Sequence, residues 1–484
     1  MTDRALQLIS QANAEVEKHQ QKVQSDDYRL GFHLMPPVGL LNDPNGFIQF
    51  QGVYHLFYQW NPFKTGHGAK FWGHYTSKDL VNWTHEKIAL APSDWFDKNG
   101  CYSGSAVSDA GKIKLFYTGN VKDENGNRET YQCLAESENG IDFVKKGVVI
   151  ELPEGYTAHF RDPKVWRHQG DWYMIIGAQS EDLQGKAALF KSVDLLEWQL
   201  LGNVAGSNEG ELGDFGYMWE CPDLFSLQGK DVLIVSPQGL EPEGILYNNV
   251  YQSGYFVGQL NYETGKMSHG PFVELDRGFE FYAPQTTVDE QGRRLLYAWM
   301  GVPEQAEDQH PTIDFKWVHA MTLPRELVLV GERLYQKPVD ELKQLRKNEV
   351  VYENEVLTSV TKQLKHVNGD QLELVIDFHR NEADTFEIAI RDEARIIYDK
   401  SEERLTLQRK SFSDRDRAVE ARHCMLSQLR QLRIFLDTSS IELFANDGEE
   451  VFTARIFPEK EKKEISFTAV NGTTEFTVRK WDIR

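Results

Sequence analysis

The sequence predicts an all-β protein, in which a five-bladed β-propeller is followed by a C-terminal β-sandwich and preceded by a short helix. Two observations support this fold class. The first is a degenerate internal repeat that fills the chain up to about residue 335. The second is a change, after about residue 350, to short strands in which polar and apolar residues alternate.

The N-terminal extension, residues 1–29, has apolar residues at near-helical intervals among many Glu, Gln and Lys residues. These apolar residues are Leu6, Ile9, Ala12, Val16 and Val23. The spacing predicts a short amphipathic helix from about residue 5 to residue 24. The extension lacks the apolar core of a secretory signal, and no stretch of the chain is long and apolar enough to span a membrane. We therefore expect a cytoplasmic protein without a membrane partner.

The internal repeat consists of five segments, each with a strand start, a turn glycine eight or nine positions later and then an apolar run. Four of the five have proline as their second residue. The segments begin at Asp43, Ser103, Asp162, Cys221 and Ala283, and their turn glycines are Gly52, Gly111, Gly170, Gly229 and Gly292. Each unit has the length of a four-stranded sheet and cannot bury both of its own faces. Five such units predict a propeller over residues 30–335.

The C-terminal part, residues 353–484, is predicted to be an antiparallel sandwich that follows a linker at residues 336–352. Its expected strands are Leu372–Phe378, Thr385–Ile390, Leu432–Leu436, Ile441–Phe444, Ile465–Val470 and Phe476–Val478. Asp447 and Gly448 between two such runs are typical of a hairpin turn. This part contains no cluster of carboxylates like that of the repeat, so we expect it to be structural or to form an interface.

Composition excludes several classes of function. The formal net charge of −21 would repel a polyanion such as nucleic acid, although one local basic pocket could still bind a small phosphorylated substrate. The four cysteines have no paired spacing and are expected to be thiols in a reducing compartment. The 14 histidines are scattered and no glycine-rich nucleotide loop is present. We therefore expect neither a metal nor a cofactor.

Three carboxylates hold special positions in the repeat. The first residue of each innermost strand of a propeller lies at one end of the central channel, and Asp43 and Asp162 occupy that position. Glu220 precedes it by one residue in its own unit. These three residues, which are far apart in the sequence, should therefore meet in one funnel.

The motifs around these carboxylates resemble those of glycoside hydrolase family 32, the invertases and fructanases. They are Asn-Asp-Pro-Asn-Gly at residues 42–46, Arg-Asp-Pro at residues 161–163 and Glu-Cys-Pro-Asp at residues 220–223. The tail is similar to the sandwich of that family at residues 441–448. Within the family, the chain looks most like bacillus-type hydrolases that act on sucrose 6-phosphate. The resemblance implies a retaining β-fructofuranosidase that releases fructose and glucose 6-phosphate, and that also accepts sucrose.

The resemblance also implies a role for each carboxylate. Cleavage passes through an oxocarbenium-like state, which needs a carboxylate on one ring face and a proton donor at the leaving oxygen. Asp43 matches the family nucleophile, Glu220 the general acid/base and Asp162 the carboxylate that holds ring hydroxyls. An ordinary Glu is mostly ionised at neutral pH. We therefore expect burial and the two neighbouring carboxylates to raise the pKa of Glu220.

Further residues are expected to bind the substrate. By resemblance, the sugar subsite is lined by Asn42, Gln59, Tyr102, Ser103, Arg161, Tyr282 and Trp299. A glucose 6-phosphate moiety needs cations in the leaving-group subsite. The candidates are His67 and Lys70, in the loop after the first strands of the repeat, and Arg128.

Other functions remain open at this point. An inverting hydrolase of arabinan type, a plain invertase or fructan hydrolase, and a fructosyltransferase are alternatives on the same fold. Inverting enzymes separate their carboxyls by about 6.5–9.5 Å and retaining enzymes by about 5–5.5 Å. A propeller that only binds carbohydrate would be expected to lack one of the three carboxylates, whereas all three are present here.

Overall fold

The computed structural model describes residues 2–210 and 212–484 and opens with one α-helix, Asp3–Gln24. Thr2 caps this helix, since its Oγ1 accepts a hydrogen bond from the Ala5 amide at 3.2 Å. Ala12 is fully buried, whereas Leu6 is 54% exposed and lies off the packed face. None of the described helices is long and apolar enough to cross a membrane.

Five antiparallel sheets form the blades of the propeller. The first blade consists of Gly39–Phe50, Val53–Asn61, Phe71–Ser77 and Trp83–His85. The second consists of Cys101–Asp109, Lys112–Lys122, Arg128–Ser137 and Val144–Glu151. The third consists of Tyr156–His168, Asp171–Ser180, Gly185–Ser192 and Gln199–Gly206. The fourth consists of Met218–Leu227, Lys230–Gln238, Gly254–Asn261, Lys266–His269 and Val273–Glu274. The fifth consists of Tyr282–Val288, Arg294–Met300, Ala320–Met321, Arg325–Val330 and Arg333–Pro338.

The blades close into a ring. The innermost strand of each blade contacts those of both neighbouring blades, and the fifth contacts the first. An apolar cluster fills each of the five blade interfaces. Trp317–Val318 also pairs in parallel with the start of the first strand, which joins the two ends of the ring. The predicted five-bladed propeller is therefore confirmed.

Each innermost strand contains a β-bulge, in which two residues lie opposite one. The bulged pairs and the residues opposite them are Asn42-Asp43 and Gln59, Tyr102-Ser103 and Thr118, Asp162-Pro163 and Ile176, Cys221-Pro222 and Val235, and Ala283-Pro284 and Ala298. Proline cannot donate to the sheet ladder and is tolerated at a bulge, which accounts for the recurring prolines in the last three units. The bulges begin at residues 42, 102, 162, 221 and 283, so the sequence alignment was out by one residue in the first two units. The prediction that Asp43 and Asp162 are the first residues of their strands is wrong, because both lie at bulges inside Gly39–Phe50 and Tyr156–His168.

The bulges turn side chains toward one end of the ring. In the third blade, Asp162 has φ of 70°, a left-handed conformation that side chains rarely adopt. Cys221 and Ala283 hold the equivalent position in the next two blades with φ of 46° and 50°. Bulges commonly re-aim side chains next to active sites. Asp162 and its neighbours are therefore held at the channel mouth by strained backbone that the surrounding blades fix.

Two six-stranded sheets form the C-terminal sandwich. The first, in spatial order, consists of Arg346–Thr358, Thr473–Ile483, Leu372–Asn381, Gln431–Asp437, Ser440–Ala445 and Glu450–Arg455. The second consists of Thr361–Lys362, Ile465–Val470, Thr385–Ile390, Ala394–Asp399, Arg404–Lys410 and Val419–Met425. One apolar core lies between them. The predicted limits at residues 335 and 352 fall inside Arg333–Pro338 and Arg346–Thr358, so the domain boundaries stay a prediction.

A buried network of charges joins the propeller to the sandwich. Arg325 is fully buried and contacts Asp276 at 3.1 Å and Glu442 at 2.7 Å. His33, just before the first blade, lies between Asp437 at 2.7 Å and Glu442 at 3.0 Å. Burial alone would lower the pKa of His33, but the two carboxylates outweigh it and raise that pKa from 6.5 to about 9. The imidazole is thus held as a cation.

Replacing His33 by glutamine is expected to destabilise the protein by about 3–5 kcal/mol, because two carboxylates stay buried with one cation fewer. The raised pKa also makes stability depend on pH. The protonated form contributes fully below about pH 6.5, and this contribution, roughly 3 kcal/mol, is lost as the pH rises through about 9. Between these two pH values, the denaturant midpoint should therefore decrease more for the wild type than for His33→Gln. His19→Gln on the N-terminal helix is the control, and equal pH dependence of wild type and His33→Gln would contradict the assignment.

Candidate active site

A cavity of about 450 Å³ opens at the bulged end of the propeller. Every residue predicted for the site lines it: Asn42, Asp43, Gln59, His67, Lys70, Tyr102, Ser103, Arg128, Arg161, Asp162, Glu220, Tyr282 and Trp299. A larger and more open groove of about 580 Å³ lies elsewhere, between strand ends of the first blade and the loop at residues 139–141 of the second, and contains none of these residues. The repeat therefore gathers the predicted residues at one place.

Asp43 is held by donors to both of its oxygens. The Ser103 hydroxyl donates to Oδ2 at 2.5 Å, and Asn42 Nδ2 donates to Oδ1 at 3.2 Å. Burial raises the pKa of Asp43, and the negative Glu220 adds to this rise, whereas Ser103, Lys70 and Asn42 oppose it. The fixed carboxylate can attack a carbon atom placed in the cavity.

Glu220 accepts four hydrogen bonds from three neighbouring side chains. Arg161 donates to Oε1 through Nε at 2.8 Å and Nη2 at 2.6 Å, and Oε2 accepts from Tyr282 at 2.6 Å and from Gln238 at 2.9 Å. Burial by itself would raise the pKa of this carboxyl, but Arg161 and Tyr282 reverse the shift and lower it. The expected rise in the pKa of Glu220 is therefore wrong. The sequence shows Arg161, but it does not show that its guanidinium contacts Glu220.

The pKa of Asp162 is raised, as is that of Asp43. Burial and the charges of Glu220 and Asp43 raise it to about 7, against the opposing charge of Arg161. Its Oδ2 accepts a hydrogen bond from the Cys221 amide at 3.0 Å. Asp162 can therefore carry a proton near neutral pH, and its titration depends on the charges of the other two carboxyls.

The remaining predicted sugar contacts form the walls. Gln59 Nε2 donates to the Cys101 carbonyl at 3.2 Å. Tyr282 is buried beside Glu220, and the ring of Trp299 lies edge-on to it. Among the described residues, the buried Trp299 indole N–H has no hydrogen-bond partner.

The three candidate cations differ in their surroundings. His67 is held by Glu307 at 3.2 Å, and Lys70 is buried against Asn42 at 2.8 Å. Arg128 lies over the ring of Tyr102, with its guanidinium carbon 5.9 Å from the ring centre. In the part of the chain that the structure describes, Arg128 forms no salt bridge, so its charge is available to a ligand.

Besides Gly68, which lies between the predicted His67 and Lys70, sequence reasoning missed six lining residues: His159, Tyr217, Gln238, Tyr251, Pro303 and Glu304. His159 could have been found, because it precedes Arg161 by two residues and the two-residue period of a strand places both on one face. Its Nδ1 accepts a hydrogen bond from Arg161 Nη1 at 3.0 Å. The other five lie on segments where no repeat or motif signals the cavity.

Comparisons with known proteins identify the family of this chain. Residues 33–338 match the family model for the glycosyl hydrolases family 32 N-terminal domain, and residues 341–482 match the model for its C-terminal part. A sucrose-6-phosphate hydrolase of Bacillus subtilis is 56% identical over 484 residues, which is 100% of both chains. One of Salmonella typhimurium is 44% identical over 446 residues, covering 92% of this chain and 91% of that protein.

Solved structures show the same fold over nearly the whole chain. A sucrose-6-phosphate hydrolase from Lactobacillus gasseri is 32% identical and superposes with a TM-score of 0.88 over 98% of this chain and 96% of that one. A Bombyx mori β-fructofuranosidase, solved as a mutant in complex with sucrose, is 32% identical with a TM-score of 0.84 over 98% of both chains. On the two family models, which together span nearly all of the sequence, the chain belongs to glycosyl hydrolase family 32.

Proposed function

We propose that this protein is a retaining β-fructofuranosidase that hydrolyses sucrose 6-phosphate, and more slowly sucrose. The observation that carries the proposal is the arrangement of Asp43, Asp162 and Glu220 around one cavity. The same cavity has a basic wall, formed by Arg128 and Arg161. The sucrose-6-phosphate hydrolases among its relatives support the choice of substrate. A plain invertase would need no basic wall.

Asp43 is proposed as the nucleophile. One of its oxygens bonds to the anomeric carbon of the fructosyl group while the bond from that carbon to the glucosyl oxygen breaks. Glu220 gives its proton to the departing oxygen, which leaves as glucose 6-phosphate. Glu220 then takes a proton from water as the water oxygen bonds to the same carbon, and Asp43 is released.

Proton sharing explains how Glu220 can start as an acid. Asp162, whose pKa is raised to about 7, can carry a proton near neutral pH. Sugar hydroxyls that donate to Asp162 favour its ionised form. A second negative charge on Asp162 then raises the affinity of Glu220 for the proton, because the two carboxyls are coupled. We therefore propose that substrate binding moves the proton from Asp162 to Glu220.

The leaving-group phosphate is proposed to bind at Arg128 and His159. Burial lowers the pKa of His159 to about 4, and the charges of Arg161 and Arg128 add to this shift, so His159 is neutral at pH 7 and would contact the phosphate as a hydrogen-bond donor. Glu304, which accepts a hydrogen bond from Tyr251 at 3.1 Å, also lines the cavity and would repel the dianion. The charge pattern therefore orients the substrate as well as binding it.

Replacing Arg128 by methionine is expected to lower kcat/KM on sucrose 6-phosphate by about 10- to 100-fold, because a charge-assisted hydrogen bond to phosphate is lost. The value for unphosphorylated sucrose should stay within about twofold of the wild type. Arg167→Met is the matched control, since Arg167 stacks on Trp172 outside the cavity. Equal losses on both sugars would contradict the phosphate assignment.

A cytoplasmic location is part of the proposal. Within the described residues all four cysteines are unpaired, and three of them are buried. Such thiols persist in a reducing compartment. A phosphorylated disaccharide is retained inside cells because its charge opposes passage through a bilayer, so the proposed substrate supports the same location.

A further inference from the structure

Lys70 is the predicted phosphate ligand whose surroundings fit that role least. It directly precedes the third strand of the first blade, and its side chain reaches the cavity although the residue is only 3% exposed. Its carbonyl accepts a hydrogen bond from the Cys101 amide at 2.9 Å, which ties it to the second blade. It therefore belongs to the rigid floor of the site.

The Lys70 ammonium donates to Asn42 Oδ1 at 2.8 Å and, among the residues that the structure describes, forms no salt bridge. Burying an ammonium group without an ion pair is costly. Here burial lowers the pKa of Lys70 to about 7, although Asp43 and Glu307 nearby favour the charged form and Lys64 opposes it. A surface cation would bear no such cost.

The hydrogen bond to Asn42 fixes which way its amide points. An asparagine amide can turn by half a rotation, which exchanges its carbonyl oxygen and its NH₂ group. With Oδ1 held by Lys70, Nδ2 faces Asp43 and donates to it at 3.2 Å. In the opposite orientation a carbonyl oxygen would face the carboxylate and repel it.

We propose that Lys70 is a positioning residue for the nucleophile: its ammonium locks the Asn42 amide so that Nδ2 donates to Asp43, and its charge keeps Asp43 ionised. The proposal deepens the proposed function and rests on Asp43 being the nucleophile. The charges around Asp43 are Glu220 and Asp162, which disfavour its ionised form, and Lys70, which favours it. Removing Lys70 leaves the two unfavourable charges in place.

The decisive comparison is Lys70→Met assayed on sucrose 6-phosphate and on sucrose. A positioning role lowers kcat by about 10- to 100-fold on both sugars, because both use the same nucleophile. Their kcat/KM ratio should stay within about threefold of the wild type. The acid limb of the pH profile should move to higher pH, since an Asp43 without its cation takes up a proton more readily.

Two further variants separate the hydrogen bond from the charge. Lys70→Gln keeps an NH₂ donor for Asn42 without a charge, so it should shift the acid limb while retaining more kcat than Lys70→Met. In the double variant with Asn42→Ala, the methionine should add little to the loss of kcat at a pH above the acid limb, where Asp43 is ionised and Lys70 acts through Asn42. Additive losses would overturn that route.

A readout without substrate keeps the proposal testable if the proposed function fails. Titration of the Asp43 carboxyl by ¹³C NMR should give a higher pKa in folded Lys70→Met than in the wild type, and an unchanged pKa would overturn the proposal. A loss confined to the phosphorylated sugar would instead make Lys70 a phosphate ligand. Wild-type protein inactive on both sugars would refute the proposed function alone, since the NMR result stands independently.

Discussion

Asp43→Asn is expected to lower kcat on sucrose 6-phosphate by at least about 10⁴-fold, because the amide cannot form the covalent fructosyl intermediate. The change preserves shape, and Ser103 can still hydrogen-bond to the side-chain oxygen. The affinity for the substrate should therefore be retained, which equilibrium binding measurements with the variant can check. Asp142→Asn, at a carboxylate 56% exposed in a turn of the second blade, is the matched control.

The stereochemistry of transfer tests the same residue in another way. With dilute methanol as acceptor, a double displacement through Asp43 should give methyl β-fructofuranoside, since two inversions restore the original configuration. NMR of the product distinguishes it from the α-anomer that an inverting enzyme would form. Activity of Asp43→Asn above about a hundredth of the wild type, or an α-product, would refute Asp43 as the nucleophile.

The propeller could be predicted because its signals are local. Each unit repeats a turn glycine and an apolar run, and a unit that cannot bury its own faces must pack on copies of itself. Proline signalled the strand starts of the last three units, but its cause is the bulge at Asp162, Cys221 and Ala283. A bulge depends on pairing between strands, so the one-residue shift in the first two units could not be read from spacing alone.

The members of the site were easier to predict than its electrostatics. A carboxylate beside a recurring proline and turn glycine can be located from sequence, whereas its pKa depends on partners contributed by other blades. Arg161 and Tyr282, on the third and fifth blades, both contact Glu220 on the fourth. For the same reason the sequence predicted Lys70 to be a loop cation, whereas the structure shows it to be a buried partner of Asn42.

Glu220→Gln should produce the second-largest loss, about 10²- to 10⁴-fold in kcat/KM on sucrose 6-phosphate, because the departing glucosyl oxygen loses its proton donor. Glutamine can still accept from Tyr282, but Arg161 loses the negative charge that it contacts at 2.6 Å. Without that charge Asp162 also becomes easier to ionise, since Glu220 is one of the groups that raise its pKa. A thermal unfolding curve should accompany the assay, with the exposed Glu138→Gln as control.

The leaving group separates loss of an acid from loss of structure. β-Fructofuranosyl fluoride departs without needing a proton, so Glu220→Gln should form the fructosyl intermediate from it at nearly the wild-type rate. The second step still lacks its base, and the intermediate should therefore accumulate as a burst. Azide, which needs no base, should then speed turnover and give β-fructofuranosyl azide. If Glu220→Gln loses as much activity on the fluoride as on sucrose 6-phosphate and shows no burst, Glu220 does not protonate the leaving group. Glu220, held by Arg161, would then be a substrate-binding carboxylate instead.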